Sequence, residues 1–465
     1  MSPMRRMNMK VKSISDQTIS PINPALSPTK NRIAQLTPAE RQVFNTGRWL
    51  SYLLAYLYIY IFFDYQPRLL LLFSLGMIAL VELGQFLSTE KRLNKPNLES
   101  IIFASSCLLQ ALALSIWDFR ESIEMLQLLA LHTSFVCYVL ARNGLLAQGR
   151  IGVLFWYDVL QGFILLPFKH FLLRLHFATF KEDKPEQTGQ SLARFRFILL
   201  LTVSSILTFF LVYFVWQQLS QVSQTFSLAT GDLGKWIDNF IQGLLSGWDF
   251  NLLFGRFIFS LPVGAWLFGL VAGSLLYYPK KSLTYSQFQD QLKPLRIFPA
   301  LSAYLLLGSL LTIYLLFFVT SLTEIGDLLT LNGISPQTAS TVAVTGFWQL
   351  VRVCLVNFAV LAGAYIFADK PLWERKSTRL LLTLVFISAS LFALLAAWKL
   401  FGIYIYLYGP TPLRLLSGWF ITVLIVWCAL ALIRFHKPIQ AIRYAIFYAL
   451  ISFTLLTYLH PIILG

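Results

Sequence analysis

This sequence is poor in charge: Asp, Glu, Lys and Arg make up only 12% of its 465 residues, about half the share carried by a soluble domain. So few charges cannot cover a water-exposed surface, which excludes an ordinary globular protein. Cysteine is scarce too. Cys107, Cys137, Cys354 and Cys428 all fall inside apolar runs with no CxxC or Cys/His spacing, which excludes a disulfide framework and a thiolate metal site and leaves small buried hydrophobes. The five histidines, His132, His170, His176, His436 and His460, are scattered. There is no Walker loop, no GxGxxG after a strand, no HExxH and no GxSxG. The expectation is therefore no catalytic set, no metal and no cofactor, which leans against an enzyme.

What the chain has in quantity is apolar surface: 57% hydrophobic residues and 15% aromatic, with a mean hydropathy of +0.66. The side chains must face lipid as well as each other, and only helices or closed barrels satisfy backbone polar groups in that solvent. The runs are long and continuous, so helices are expected rather than barrel strands. Measured against a span of roughly 20 residues, apolar windows lie at 49–63, 69–87, 100–117, 125–140, 197–216, 257–278, 297–322, 347–368, 380–400, 413–435 and 441–459. The expected fold class is an all-α polytopic transmembrane bundle of about 11 spans.

Acidic residues are the rarer sign, 21 against 37 Lys and Arg, for a formal net charge of +16. The cations occupy short segments between apolar runs rather than a soluble domain, so the expected partner is anionic lipid at the cytoplasmic surface and not nucleic acid. An N-terminus inside and a C-terminus outside keeps all of them cytoplasmic except Arg68, Arg120, Lys235, Arg256, Lys399, Arg414 and the intramembrane Arg352. A twelfth span at 151–168 would export part of the basic cluster that follows. That stretch holds Asp158, Gln161, Gly162 and Pro167 and runs into Lys169, His170, Arg174 and His176; the segment near 151–178 is expected to lie as amphipathic helices on the cytoplasmic surface.

The resulting division is a disordered basic cytoplasmic tail over 1–45, a four-helix membrane part over 46–142, an interfacial segment and loop over 143–195, and a seven-helix membrane part over 196–465. The tail is not read as a signal peptide, because the first apolar run begins near Trp49. Two outside loops are long: 217–256, where Trp236, Ile237, Phe240, Ile241, Leu244 and Leu245 recur at helical spacing, and 323–346, which is small and polar.

Intramembrane charge is expensive and marks a partner or a role. Glu82, in IALVELGQFL, lies near the inner end of its window, where it either reaches the interface, is protonated, or serves a function. Arg352 lies one to two turns below the outer end of its own window. With Arg256, Lys399 and Arg414 it forms a candidate outer-face anion site. Arg256 and Arg414 open helices, the unfavourable end of the dipole for a cation. Their compensation is either an ion-pair layer with Asp249, Glu324 and Asp327 or the phosphate of a lipid or lipid-linked substrate.

The densest pattern is WKLFGIYIYLYGPTPLRLLSGWF, with Tyr404, Tyr406 and Tyr408 alternating before Gly409, Pro410 and Pro412. An outer turn with an aromatic belt accounts for it. It also resembles the YG-x-T-x-LR segment of the DUF4153/DUF4173 family of uncharacterised bacterial integral membrane proteins, through Tyr404, Tyr408, Gly409, Thr411, Leu413 and Arg414. The upstream GFWQLVRVCLVN, Gly346 to Asn357, resembles that family's G-F-[WF]-[EQ]-L segment. The resemblance runs over 197–465. Pro410 and Pro412 depart from it, as does Tyr406, which stands where an acidic residue is common.

The resemblance implies a multi-span fold in a bacterial cytoplasmic membrane and no particular reaction. Three readings follow: a non-enzymatic transporter-like or accessory component; a membrane enzyme or flippase acting on a phosphorylated lipid at the outer face; and a sensor or scaffold whose basic tail recruits a cytoplasmic partner. The topology has a direct check. A reporter fused after Lys184 is expected to be cytoplasmic, and an external signal would invert every downstream loop.

Overall fold

The computed structural model describes residues 33, 36–87, 95–118, 123–179, 231, 235–236, 239, 253–276, 285–296, 299–330, 336–369 and 371–464. The expected window at 197–216 and most of the tail and of the loop 217–256 lie outside these residues. Thirteen helical elements organise the described chain. α1 (Pro38–Phe63), α2 (Leu70–Leu87), α3 (Leu98–Trp117) and α4 (Glu124–Arg142) come first. α5 is built from Phe155–Leu160, a π-helical turn Gln161–Leu165 and Leu166–Lys169, and α6 is Leu173–Thr179. Then follow α7 (Leu253–Leu276), α8 (Tyr285–Leu292), α9 (Ala300–Thr330) and α10 (Pro336–Phe367). α11 (Lys376–Trp398) continues through a π-helical turn Lys399–Ile405 and Tyr406–Tyr408, and α12 (Pro412–His436) and α13 (Ala441–Leu464) close the chain. Among the described residues there is no strand.

Nine of these helices are long and apolar enough to cross a membrane, and each coincides with an expected window. The window at 49–63 also forms a helix, as part of α1, but falls short of that apolarity. The polar loop expected over 323–346 is largely helix, since α9 runs to Thr330 and α10 starts at Pro336.

The helix ends follow from local chemistry. Thr37 caps α1, its hydroxyl accepting from the Glu40 N–H while the Glu40 carboxylate accepts from the Thr37 N–H at 2.9 Å. Asn97 opens α3 by accepting from the Ser100 N–H at 2.8 Å. Short connections then turn sequential helices antiparallel. Lys95, Arg142, Arg375, Arg434 and Arg443 fall at one end of the bundle, called here the basic end; Arg68, Arg256, Lys399 and Arg414 fall at the opposite end.

The buried residues form two large cores. One joins α1 to α5, α7 and Phe447 of α13 through Leu54, Met77, Phe103, Val136, Leu140 and Leu270. The second joins α9 to α12 through Leu307, Phe347, Cys354, Phe386, Phe392 and Leu424. α13 bridges them. Trp427 Nε1 of α12 donates to the Ala445 carbonyl at 3.0 Å and Trp419 Nε1 to Ser452 Oγ at 2.9 Å, while the other face of α13 meets α3. α7, expected with the C-terminal helices, packs instead along α1 in the first core. Burial is uneven: 56% of the span window in α4 and in α7 is buried, but only 11% in α9.

The segment expected to lie on the surface is built differently from a surface helix. In α5 the outward residues are the apolar Trp156, Leu160, Ile164 and Phe168, and those turned inward include Asp158, Gly162 and Pro167, with His170 just beyond. Trp266 Nε1 on α7 donates to the Phe163 carbonyl at 3.0 Å, and Trp266 lies near the middle of α7. α5 and α6 therefore sit against the sides of α4 and α7 with an apolar back. Its polar groups are turned inward onto protein, with Asp158 fully buried. A Cβ at Gly269 would stand 2.7 Å from the Pro167 carbonyl oxygen, a backbone atom that cannot swing aside. Gly269→Val is expected to cost about 1–3 kcal/mol, read as a lower midpoint of thermal unfolding in detergent, whereas Gly308→Ala, where a Cβ meets nothing within 4 Å, is expected to leave the midpoint in place.

Candidate functional site

At the opposite end, the motif residues are one mechanical unit. α11 widens into its π-helical turn and stops at Gly409, whose φ of 75° is in the left-handed region that favours glycine. Thr411 then caps α12 by accepting from the Arg414 N–H at 3.4 Å. The Arg414 guanidinium reaches back to donate to the carbonyls of Tyr408 at 2.8 Å and Gly409 at 2.7 Å and to the Tyr404 hydroxyl at 3.2 Å, and it lies 4.2 Å over the Tyr404 ring. Its unfavourable place at the start of α12 is thus compensated by the negative carbonyl end of α11. Lys399 is buried, and its ammonium lies against Gly346 of α10, where any side chain would collide with it. The two motif segments therefore meet.

The other two cations are elsewhere. Arg256 pairs with Asp64 at the end of α1 at 2.6 Å and covers the Tyr60 ring at 4.7 Å, closing α1 on α7 in the first core. Arg352 is exposed on α10. Asp64 was not among the acids expected to serve Arg256, because nothing in sequence order joins an acid ending one helix to an arginine opening another 192 residues later. The side chains of Asp249, Glu324 and Asp327 lie outside the described residues.

At the basic end, Glu82 accepts two hydrogen bonds from Arg142, at 2.7 and 2.8 Å, and one from Tyr138 at 2.7 Å. Gln85 bonds Asn143, Asn143 donates to Ser274 at 2.6 Å, and Asn97 donates to the Ala141 carbonyl at 3.1 Å. Arg142, counted from sequence as a loop cation, is the partner that makes Glu82 tolerable and links α2 to α4. Arg443 similarly meets the buried Glu99 at 2.8 Å, joining α13 to α3.

From that pair a polar seam climbs between α3, α4 and α13. Ser106 and Thr454 share a hydrogen bond of 3.0 Å, Gln110 Nε2 donates to both hydroxyls at 3.2 and 3.1 Å, and Ser134 donates to Ser106 at 3.4 Å. Above them Tyr458 donates to the Leu109 carbonyl at 2.6 Å. Ser106, Gln110, Ser134, Thr454, Gln127 and Thr457 are all buried, and the Oε1 atoms of Gln110 and Gln127 have no hydrogen-bond partner among the described residues.

A cavity of about 400 Å³ lies at the basic end between α9, α10 and α11. Ala303, Leu306, Leu307, Val360 and Ala364 line its apolar depth, and Asp369 and Arg375 stand at its rim. Among the described residues no group of three or more His, Cys, Asp or Glu could hold a metal.

Residues 103–464 match the family described as "Domain of unknown function (DUF4153)". The chain belongs to the DUF4153 family. The match begins well before residue 197, where the resemblance read from the motifs began, so the DUF4153 domain takes in α4, α5 and α7 as well as α9 to α13. Ser106, Gln110, Ser134 and Thr454 lie within it, whereas Glu82 and Glu99 precede it. No curated protein and no solved structure matches the chain.

Outside the spans, Asp158 carries the seam's logic into α5. It is fully buried, with Oδ1 accepting from the Ala147 N–H at 2.7 Å and Oδ2 without a partner among the described residues. Burial raises its pKa to about 7, with the Ala147 hydrogen bond opposing. Because the folded state holds this proton more tightly than the unfolded chain, stability is full below the ordinary carboxyl pKa and is lost as pH rises through about 7. Thermal unfolding in detergent is expected to show the wild type losing stability relative to Asp158→Asn between about pH 4 and pH 7, with the difference constant at higher pH; parallel profiles would contradict the assignment.

Proposed function

We propose that this DUF4153 protein is a non-enzymatic, transporter-like component of a bacterial cytoplasmic membrane, with its basic end at the cytoplasmic face. The observation that carries the reading is the polar seam. Two helical bodies, each with its own hydrophobic core, are joined on one side of α13 by a run of hydroxyl and amide contacts that continues beyond the Phe103–Phe447 ring contact. Apolar knobs packed across a seam resist sliding, whereas hydroxyls and amides can exchange partners with one another or with water, and such bonds between membrane helices are worth only about 0.6–2 kcal/mol each. The unpartnered Gln110 and Gln127 oxygens offer a polar solute or water a place to bind inside the seam.

The charge distribution supports the orientation, and the resemblance to bacterial integral membrane proteins supports the location. An enzyme or flippase holding a phosphate at the opposite end draws less support, because Arg256 and Arg414 already hold protein partners there.

Distance measurements between spin labels at Tyr65 and Tyr406, both exposed at the opposite end of the two bodies, test the reading in liposomes. The native cysteines are buried and do not compete for label. Two distance populations are expected, with their ratio shifted by Ser106→Ala combined with Thr454→Val. One narrow population, unmoved by that double substitution, would overturn the reading in favour of a static accessory component.

A further inference from the structure

The cavity between α9, α10 and α11 is not part of the seam and raises a separate question. Its lining runs along α9 from Ser302 to Leu307 and down α10 from Val360 to Phe367, roughly 10 Å of helix in depth. A volume of about 400 Å³ is within the ordinary range for a ligand site. α9 is the least buried of the spanning helices, and Leu301 and Leu305, beside the cavity, are exposed, so the cavity lies at a face that meets lipid.

The rim holds one charge of each sign. Asp369 and Arg375 are both exposed, both line the cavity, and neither makes a side-chain hydrogen bond or an ion pair among the described residues. Glu374 and Lys376 flank Arg375 in sequence without lining the cavity. Around this rim the protein is tied down: Arg379 Nε donates to the Trp373 carbonyl at 2.7 Å, Arg434 lies 5.4 Å over the Trp373 ring, and Thr378 Oγ1 donates to the Leu372 carbonyl at 2.5 Å. The loop is therefore held in place by Arg379, Arg434 and Thr378, and Asp369 and Arg375 are left over.

We infer that this cavity binds a zwitterionic phospholipid whose headgroup carries a primary ammonium. An acyl chain lies along Leu306, Leu307, Val360 and Ala364. The phosphate meets Arg375, whose forked donors suit phosphate oxygens, and the ammonium donates to the Asp369 carboxylate. An anionic headgroup such as that of phosphatidylglycerol satisfies Arg375 with the same phosphate but offers Asp369 only neutral hydroxyls in place of a cation. A quaternary ammonium has no N–H to give that carboxylate. The pair at the rim thus discriminates by charge pattern and by hydrogen bonding, and the inference goes beyond the transport reading without depending on it.

Native mass spectrometry of the full-length chain, equilibrated in detergent with equal amounts of phosphatidylethanolamine, phosphatidylglycerol and phosphatidylcholine, tests it. The wild type is expected to retain phosphatidylethanolamine about tenfold over the other two, the equivalent of one hydrogen bond between charged groups. Asp369→Asn is expected to bring phosphatidylethanolamine and phosphatidylglycerol level, and Arg375→Gln to weaken all three. Gly363 lines the cavity, and a Cβ there meets nothing within 4 Å, so Gly363→Leu starts from open space and carries its branch into the cavity. It is expected to abolish retention with an unchanged unfolding midpoint. Equal retention of the three lipids by the wild type, or full retention by a folded Gly363→Leu, would overturn the inference.

Discussion

The constraint on which this structure rests is that hydrocarbon offers polar groups nothing. Each amide, hydroxyl and charge placed at membrane depth must find its partner on the protein, since an isolated ion or unpaired donor there costs several kcal/mol. Glu82 and Arg142 meet for that reason, as do Glu99 and Arg443, and Arg256 and Asp64. In each pair the two residues sit on different helices, so satisfying the charge also fixes which helices are neighbours. Charge in this chain acts as a set of specific fasteners that select which helices become neighbours, a selection hydrophobicity alone does not make, because lipid tails are as apolar as leucine.

The same constraint explains the turn at Gly409. A helix end exposes carbonyls with no partner, and here they stand at the start of an apolar helix rather than in open water. Arg414 closes two of them while stacking on Tyr404, and the ammonium of Lys399, at the start of the π-helical turn, is accommodated against α10 because Gly346 has no side chain. What reads in sequence as two separate motifs, 346–357 and 404–414, is a single joint between α10, α11 and α12.

Where the constraint is met with atoms to spare, function becomes arguable. The seam of Ser106, Gln110, Ser134 and Thr454 closes most of its hydrogen bonds and leaves glutamine oxygens over. The rim of the α9–α10–α11 cavity leaves a carboxylate and a guanidinium over, at an end where headgroups supply the missing partners. Both are residues of the balance that the rest of the bundle strikes internally.

Hydropathy by itself determined that the chain is an all-helical, multi-pass membrane protein, and placed nine of its spanning helices, because a run of apolar residues of bilayer length has one stable outcome in lipid. The turn of the second motif segment, 404–414, was legible because glycine, proline and tyrosine at fixed spacing mark a turn whatever surrounds it. Pairing across distance was not legible. Asp64 with Arg256, Arg142 with Glu82, and Ser106 with Thr454 are separated by up to 348 residues, and nothing local to either partner names the other. The inversion of α5, with its polar side inward and its apolar side out, was equally hidden: a sequence shows that a helix has two faces, but only its neighbours decide which one is buried.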